Sequence, residues 1–557
     1  MASKVTRHDP YLKRRTALES ERTTFMPLWK QLSDYHLAHR GRFLTSDVNK
    51  GHKRNTKQIN NTSRLASRTQ TSGMMAGITS PARPWFRLAT PDTALMEVMA
   101  VKTWLHDVEA LMREIFNQSN AYNVLSATYA ELGVFGVAAF GVFEDYDNVI
   151  RCQPYTVGSY MLGINGRQEV DTLYREYKRS VGQVVKEFGY EQCSQSVQSQ
   201  WDNGNSENWV EILHCIEPND DRDHMNPTAA NKKYRSVYLE VGANQDKFLK
   251  ESGFDEFPIM APRWEVTGDD VYATSCPGID SIGDAKGLQL LEKRKFQAID
   301  KQVDPPLQGP SSLRNHVDNG GLLPGDKIFV DDMNAGGFKS IYDVNLSISE
   351  LKEEITRTEN RISRTFYEDL FLMLVNSDRR QITAREIEEK HEEKLLMLGP
   401  VLERLHNELL DPLIDRTFNI MARAGILPPP PPELENADLR VEYISTLAQA
   451  QRLTAIGGIE RLGGFVMSMA EIYPEVRHKY DPLQAVDEYA EALGTSPRLV
   501  VPDDVVEEKM AAEAQQQQMA AANEMAATAA ETAKTTSEID NSEGGSMAQL
   551  MERMGLA

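Results

Sequence analysis

The layout that most constrains this chain lies between residues 275 and 432. A Ser275-Cys276-Pro277-Gly278 turn opens a helical pattern that stops at Asp304-Pro305-Pro306, where two prolines remove donors and clash with a continuing helix. About forty Gly/Pro-rich residues follow, and then two more long helical patterns, the last ending at Gly425 before five prolines, Pro428 to Pro432. Helix, compact insert, helix is the pattern of an element that projects from a body and returns to it. The stretch holds no nucleophile with its base, no metal-ligand spacing and no phosphate loop. It predicts a protruding structural part, not a catalytic centre.

At 557 residues the chain is too long for one ordinary core, and two to four units are expected. The longest nearly uncharged apolar run, Gly133 to Phe143, is well short of the ~20 residues that span a bilayer, and Met1-Ala2-Ser3-Lys4 opens no signal-peptide core. The reading is a soluble protein made in a cytoplasm, with no membrane partner. Cys152, Cys193, Cys215 and Cys276 are widely spaced, which favours reduced structural thiols over a zinc site. The net charge of −21 is unevenly spread: residues 1–90 hold 17 Lys/Arg against 5 Asp/Glu, and the remainder 44 against 77. An acidic body repels nucleic acid at long range, whereas a basic N-terminal region attracts it. Within that region Arg40, Arg42, Lys50, Lys53, Arg54 and Lys57 form a polar loop that is a candidate phosphate contact, with a merely solvated surface as the plain alternative.

Along the chain, Tyr11 to His39 reads as an amphipathic helix and Ile59 to Gly77 as a helix rich in small residues, stopped by Ser80-Pro81-Ala82-Arg83-Pro84 before a strand at Trp85 to Leu88. Leu95 to Phe116 and Asn120 to Leu132 read as helices, and Val134 to Glu144 as a strand. Strand patterns at 151–157, 170–178, 209–216 and 235–241, with a helix at Ser180 to Phe188, complete an α+β body. Ser347 with Glu350 and Thr383 with Glu386 are capping boxes ahead of two helices, separated by the polar break Asn376-Ser377-Asp378-Arg379-Arg380. Pro400 and Pro412 predict a kink or split in the second of these helices. Leu439 to Leu493 reads as several short helices punctuated by Gly457-Gly458, Gly463-Gly464 and Pro474, and Asp503 to Thr536 as one long Ala/Gln/Glu/Met helix. There is no Gly-x-x-x-x-Gly-Lys-[Ser/Thr] loop, no second histidine after His391-Glu392-Glu393, and no Gly-x-Ser-x-Gly elbow. Asp220, Asp221, Asp223 and His224 could hold a hard cation, as in a nuclease, but lack calcium-loop spacing; a solvated turn is the plainer reading. No cofactor is expected.

Several separated segments, taken in order, resemble the portal proteins, or head-to-tail connectors, of short-tailed bacteriophages. They are Ser72 to Phe86 (SGMMAGITSPARPWF), Phe135 to Ala139, Asp171 to Tyr177 (DTLYREY), Pro262-Arg263-Trp264, the Ser275 to Gly278 turn, Asp304-Pro305-Pro306 and Ile382 to Glu386. Ala273 and the inserted Cys276 depart from the family's pattern around its Ser-Pro-Gly turn. The resemblance implies an α+β portal fold with an α/β wing, a two-helix stem, a small α/β clip, a helical crown and a C-terminal helical barrel. On this chain it implies a wing at 1–278, stem helices at 279–303 and 346–375 flanking a clip at 304–345, and a channel loop at 376–382. A helix at 383–432 then returns through the wing, followed by a crown at 433–502, a candidate barrel helix at 503–536 and a mobile tail at 537–557. It further implies a ring of twelve subunits at one capsid vertex of the virion, assembled in the host cytoplasm, with double-stranded DNA passing through its channel during packaging and ejection. The partners implied are the major capsid protein, scaffolding protein, terminase large subunit, tail adaptor and tail tube proteins, and internal core or ejection proteins. Asn376, Ser377, Asp378, Arg379 and Arg380 would face the channel, and the clip residues Gly320, Gly321, Asp326, Lys327, Phe329 and Asp331 would offer docking edges. A different ring-forming adaptor or an internal core protein of the virion is the alternative.

Overall fold

The computed structural model describes residues 6–40, 42–43, 57–223, 225–226, 228–242, 247–310, 327–330, 339–340, 348–376, 398–434, 440–443, 446–470, 472–493, 500–501 and 503–542. In chain order its elements begin with α1 (Asp9–Tyr35), α2 (Thr62–Gly77), β1 (Phe86–Ala89), α3 (Thr93–Glu97), α4 (Met99–Gln118) and α5 (Ala121–Phe135). Then come β2 (Ala139–Asp145), β3 (Val149–Tyr155), β4 (Tyr160–Ile164), β5 (Val170–Ser180), α6 (Val181–Phe188), α7 (Gln195–Asp202), β6 (Trp209–Pro218), β7 (Tyr234–Glu240), β8 (Lys250–Phe254) and β9 (Ile259–Met260). The second half carries α8 (Pro277–Val303), β10 (Leu307–Pro310), β11 (Lys327–Val330), β12 (Lys339–Ser340), α9 (Ile348–Thr365), α10 (Glu368–Asn376), α11 (Asp411–Arg423), β13 (Arg440–Tyr443), α12 (Thr446–Ala470), α13 (Pro482–Leu493) and α14 (Asp503–Ser542). The α+β reading holds. Contacts divide the chain into a unit of residues 1–88, 107–429 and 440–452 and a unit of 89–106, 430–439 and 453–557.

The first unit is organised by an antiparallel sheet in the order β4-β5-β6-β7-β8. Its register, for example Tyr174 opposite Cys215 and Cys215 opposite Val237, alternates side chains between two buried faces. One face carries Met161, Tyr174, Leu213, Cys215, Val237 and Leu239 and packs with Tyr11 and Leu18 of α1. The opposite face carries Leu162, Leu173 and Ile216, which join the main core with Trp29, Leu32, Val134, Phe135, Tyr272, Leu288, Ile355, Ile362 and Phe366. Ile212, on that same face, lies in a smaller cluster with Val181, Val184 and Val197 of α6 and α7. A second sheet, β3-β2-β9, adjoins α5 and α11. All four cysteines are free and buried, as thiols in a reduced core would be.

Local chemistry explains where the elements stop. Ser180 caps α6 in a capping box with Gln183. The small residues of α2 allow close approach: a Cβ on Gly73 would lie 2.3 Å from the Phe371 ring. The helix α5 runs to Phe135, beyond the predicted end at Leu132, because Gly136 takes a left-handed φ of +77° and its N–H closes on the Leu132 carbonyl. The strand expected from Val134 therefore starts only at Ala139. Apolar continuity misleads here, since helix end and strand are both buried.

Four further expectations are corrected. The single helix read over 95–116 is broken at Val98, which is extended, after the Asp92 side chain caps the short α3. The helix read over 346–375 is two, α9 and α10, separated by Tyr367 at φ +55°. A left-handed tyrosine costs roughly 1–2 kcal/mol, and the burial of Phe366, Leu370 and Phe371 around it offsets that cost. In the second unit, α12 runs unbroken through Gly457, Gly458, Gly463 and Gly464, where short helices were expected. Each glycine costs up to about 1 kcal/mol in a helix, which weakens the helix without ending it. Finally, α14 extends to Ser542, past the predicted end at Thr536 and into the segment read as a tail. Elements absent from the sequence reading include β4, α7, β8, β9, β10, β12 and β13, all short, the last of them a strand where helices were expected from Leu439.

His36, just beyond α1, shows how tightly the first unit closes. Its ring is fully buried, bonds Ser63 of α2 and lies edge-on to Phe366 at 5.6 Å between centroids. Burial is the main cause that holds its pKa down, to about 4 from 6.5. A depressed folded-state value means the imidazole stays neutral while the unfolded chain takes up a proton. Its stabilisation is thus fully present above pH 6.5 and lost as pH falls toward 4. The wild type should lose on the order of 3 kcal/mol between pH 7 and 4 relative to His36→Asn, read by urea unfolding at both pH values. Parallel pH profiles would remove the explanation.

In the second unit, Gly463 of α12 faces the Tyr480 hydroxyl and Glu460 accepts a hydrogen bond from Tyr489 of α13 at 3.2 Å. Leu462, Phe465, Met467, Ile472, Tyr473, Leu483 and Val486 are exposed in a single copy. From Glu507 to Ala530 every residue of α14 is exposed.

Candidate functional site

The paired helices α8 and α9 form the candidate site. The base of α8 is set by the turn before it. Cys276 caps the helix, its thiol accepting from the Ile279 N–H at 3.4 Å and donating to the Val134 carbonyl of α5 at 3.2 Å. Ser281 bonds back to the Pro277 carbonyl at 2.6 Å. Gly278 is where the two backbones meet: a Cβ there would sit 2.2 Å from the Val134 oxygen. Gly278→Ala must push α8 off α5, and should reach the upper end of the about 1–3 kcal/mol that overpacking costs, measured as a lowered thermal midpoint.

Further along α8 a polar lock joins three segments. The Gln289 Oε1 accepts from the backbone N–H groups of Ile59 and Asn60, at 2.5 and 2.8 Å, while its Nε2 donates to the Asn60 carbonyl at 3.0 Å. Asn60 in turn donates to Glu292 of α8 at 3.2 Å and to Glu359 of α9 at 2.8 Å. Arg361 of α9 grips Asp284 of α8, with contacts of 3.0 to 3.3 Å. Leu288, Ile355, Ile362 and Phe366 fill the space between the helices and the body. This lower half of the pair is therefore rigid. Beyond Glu292 no residue of α8 is buried; Phe296 and Val303, seven residues apart on one face, are 50% and 79% exposed. The helix then leads into a small sheet in which β10 pairs in parallel with β11 and antiparallel with β12.

The helix that leads back is bonded into the body differently. Residues 398–405 are α-helical, His406–Leu410 form one π-turn, and α11 follows. Pro412 lacks the N–H that an α-helix would offer the Glu408 carbonyl, which accounts for the wider turn and the disturbance predicted there, whereas residues 398–405 are α-helical through Pro400, where one was also predicted. Glu408 accepts from the Arg263 backbone at 2.8 Å and from its guanidinium at 2.7 Å, and Arg263 also donates to the carbonyls of Gln168, Asp270 and Val271. Arg416 of α11 donates to the Val142 carbonyl of β2 at 2.7 Å and pairs with Glu256 at 3.2 Å.

Among the described residues no group of three or more His, Cys, Asp or Glu could hold a metal, and no helix is long and apolar enough to cross a membrane. A sequence model of the bacteriophage head to tail connecting protein family matches residues 8–501. This chain belongs to that family. It is 46% identical over 551 residues to the portal protein of Salmonella phage epsilon15, covering 99% of each chain. It is also 44% identical over 526 residues to the probable portal protein of Bordetella phage BPP-1, covering 94% of each. Head-to-tail connectors are structural proteins, not enzymes, in agreement with the absence of catalytic motifs.

On this connector the sequence-selected residues divide unevenly. Asn376 is the last residue of α10, while Ser377, Asp378, Arg379 and Arg380 lie outside the described residues. Lys327 and Phe329 lie on β11, which among the described residues pairs only with β10; Gly320, Gly321, Asp326 and Asp331 lie outside. Of the basic loop, Lys50, Lys53 and Arg54 also lie outside. Arg40 pairs with the buried Glu131 at 3.4 Å and Lys57 with Asp34 at 2.8 Å, so two of its cations serve the fold. Arg42, whose N–H bonds the Val157 carbonyl at 2.8 Å, instead lines a cavity of about 410 Å³ with Arg15, Arg22, Lys178 and Arg179. The sequence reading missed this grouping, since its members come from α1, the segment after it and β5. The one local signal is Tyr177-Lys178-Arg179, an aromatic beside two cations.

Proposed function

We propose that twelve copies of this connector close into a ring at one capsid vertex of the virion, with α8 and α9 around a channel through which double-stranded DNA is packaged and ejected. In this reading residues 1–278 are the wing, 279–303 and 346–375 the stem, 304–345 the clip, 376–382 the channel loop, 383–432 the return helix and 433–502 the crown. The clip docks first the terminase large subunit and later the tail adaptor and tail tube. The major capsid protein, scaffolding protein and internal core or ejection proteins meet other surfaces. The portal names of the two relatives support this reading.

The observation that carries it is the outer half of α8. A helix that presents Phe296 and Val303 to water on one face is incomplete as a single copy, and identical neighbours around an axis would cover that face. The −21 charge of each copy favours a duplex sliding past over one that adheres. Arg379 and Arg380 are the cations of the proposed channel loop; Arg379→Ala with Arg380→Ala should reduce retention of packaged DNA, and unchanged retention would remove that role. The ring itself is tested by native mass: twelve copies of 62.7 kDa give about 750 kDa, with annular particles in electron microscopy. A single-copy mass at tens of micromolar would overturn the proposal.

A further inference from the structure

The cavity that Arg42 enters is built unlike the rest of this acidic chain. Arg15, Arg22, Arg42, Lys178 and Arg179 line it, against the carboxylates of Glu19 and Glu176. Both carboxylates are already engaged. Glu176 is bonded by Arg15, and Glu19 lies 3.8 Å from Arg15 and 3.6 Å from Arg22, which also donates to the Gly158 carbonyl at 3.0 Å. Arg42, Lys178 and Arg179 have no carboxylate partner among the described residues. Five cations against two engaged carboxylates leave a surplus of positive charge around one cavity, which points to an anionic occupant. Trp209, 63% exposed, stands among the lining residues and offers an aromatic face beside the cations.

We propose that this cavity binds the phosphate of a nucleotide, free or within a DNA strand, with the adjoining ring against Trp209. A phosphate presents several acceptor oxygens and up to two charges, which matches the three surplus cations; a side-chain carboxylate has two oxygens and one charge. The volume of about 410 Å³ is also that of a small-molecule site, much larger than one carboxylate needs. Base stacking on an aromatic face is indifferent to sequence, as contact with arbitrary packaged DNA requires. The site does not depend on ring closure.

The test uses the full-length assembly and four probes: inorganic phosphate, deoxyadenosine monophosphate, a twelve-nucleotide single strand and the matching duplex. Lys178→Ala with Arg179→Ala should weaken the bound probes at least about tenfold. Arg64→Ala with Arg68→Ala, which removes two exposed cations of α2, should leave binding at the wild-type level. For the single strand, the slope of log affinity against log salt should fall by about 1.4 in the cavity variant. Nucleotide binding should quench tryptophan fluorescence in the wild type and not in Trp209→Phe. Binding of phosphate and mononucleotide alone assigns a free nucleotide; binding of the strands with that salt slope assigns DNA. Equal affinity in the two double variants, tighter binding of a hexaglutamate peptide than of every phosphate probe, or no binding of any probe, would overturn the proposal.

Discussion

Phe296→Asp combined with Val303→Asp should reduce the native particle from about 750 kDa to the 62.7 kDa of one chain. Both side chains lie on the half of α8 where no residue is buried within one copy, so the change should leave the fold of the single chain intact. In the proposed ring each substitution is repeated at every subunit contact. Losing a buried phenylalanine forfeits about 1.5–3 kcal/mol of burial, and a carboxylate placed in an apolar contact adds several kcal/mol of desolvation unless it is paired. Twelve such contacts close one ring, so the penalty multiplies where a dimer would meet it once. Circular dichroism should be unchanged while the mass collapses. A variant that still forms the full particle would show that this face of α8 is not where copies meet, and would move the contact elsewhere on the chain.

The part of the structure legible in the sequence is the part whose signals are local. The small-residue run of α2, the helix at α6, the Pro305-Pro306 stop after α8 and the disturbance at Pro412 each rest on a few adjacent residues, and each lies where it was read. Errors cluster where two buried elements abut or where burial overrides propensity. The junction of α5 and β2 is a single apolar run, so only the left-handed Gly136 marks the change. Tyr367 breaks α9 from α10 with no glycine or proline to mark it, between Phe366 of the main core and Phe371, whose ring lies against Gly73 of α2. The four glycines of α12 weaken a helix that its length sustains. For the site, the hairpin was visible as a pattern, but the lock of Gln289, Asn60 and Glu359 joins residues about 230 to 300 positions apart. The cationic cavity is likewise a product of topology, which brings α1 alongside β5. Sequence periodicity cannot report either.

The largest expected effect on stability lies in the π-turn before α11. Glu408 lies in the π-turn and takes three donor atoms of one residue: the Arg263 backbone N–H at 2.8 Å, its Nε at 3.2 Å and its Nη2 at 2.7 Å. The Arg263 side chain is only 2% exposed. Glu408→Ala leaves that guanidinium buried with backbone carbonyls alone, and breaking such a pair from one side costs about 3–5 kcal/mol. Arg404, which reaches Glu408 at 3.1 Å, loses its partner too, but at a half-exposed position where little stability is at stake. Glu408→Gln keeps oxygen and geometry while removing charge, and should fall between Ala and wild type. Arg263→Met with Glu408→Leu should cost less than Glu408→Ala alone, since no unpaired charge remains in the core. Urea unfolding of the four proteins gives the order directly. If the double variant proved the least stable, the pair would be stabilising in its own right, and the penalty would lie in lost attraction instead of in stranded charge.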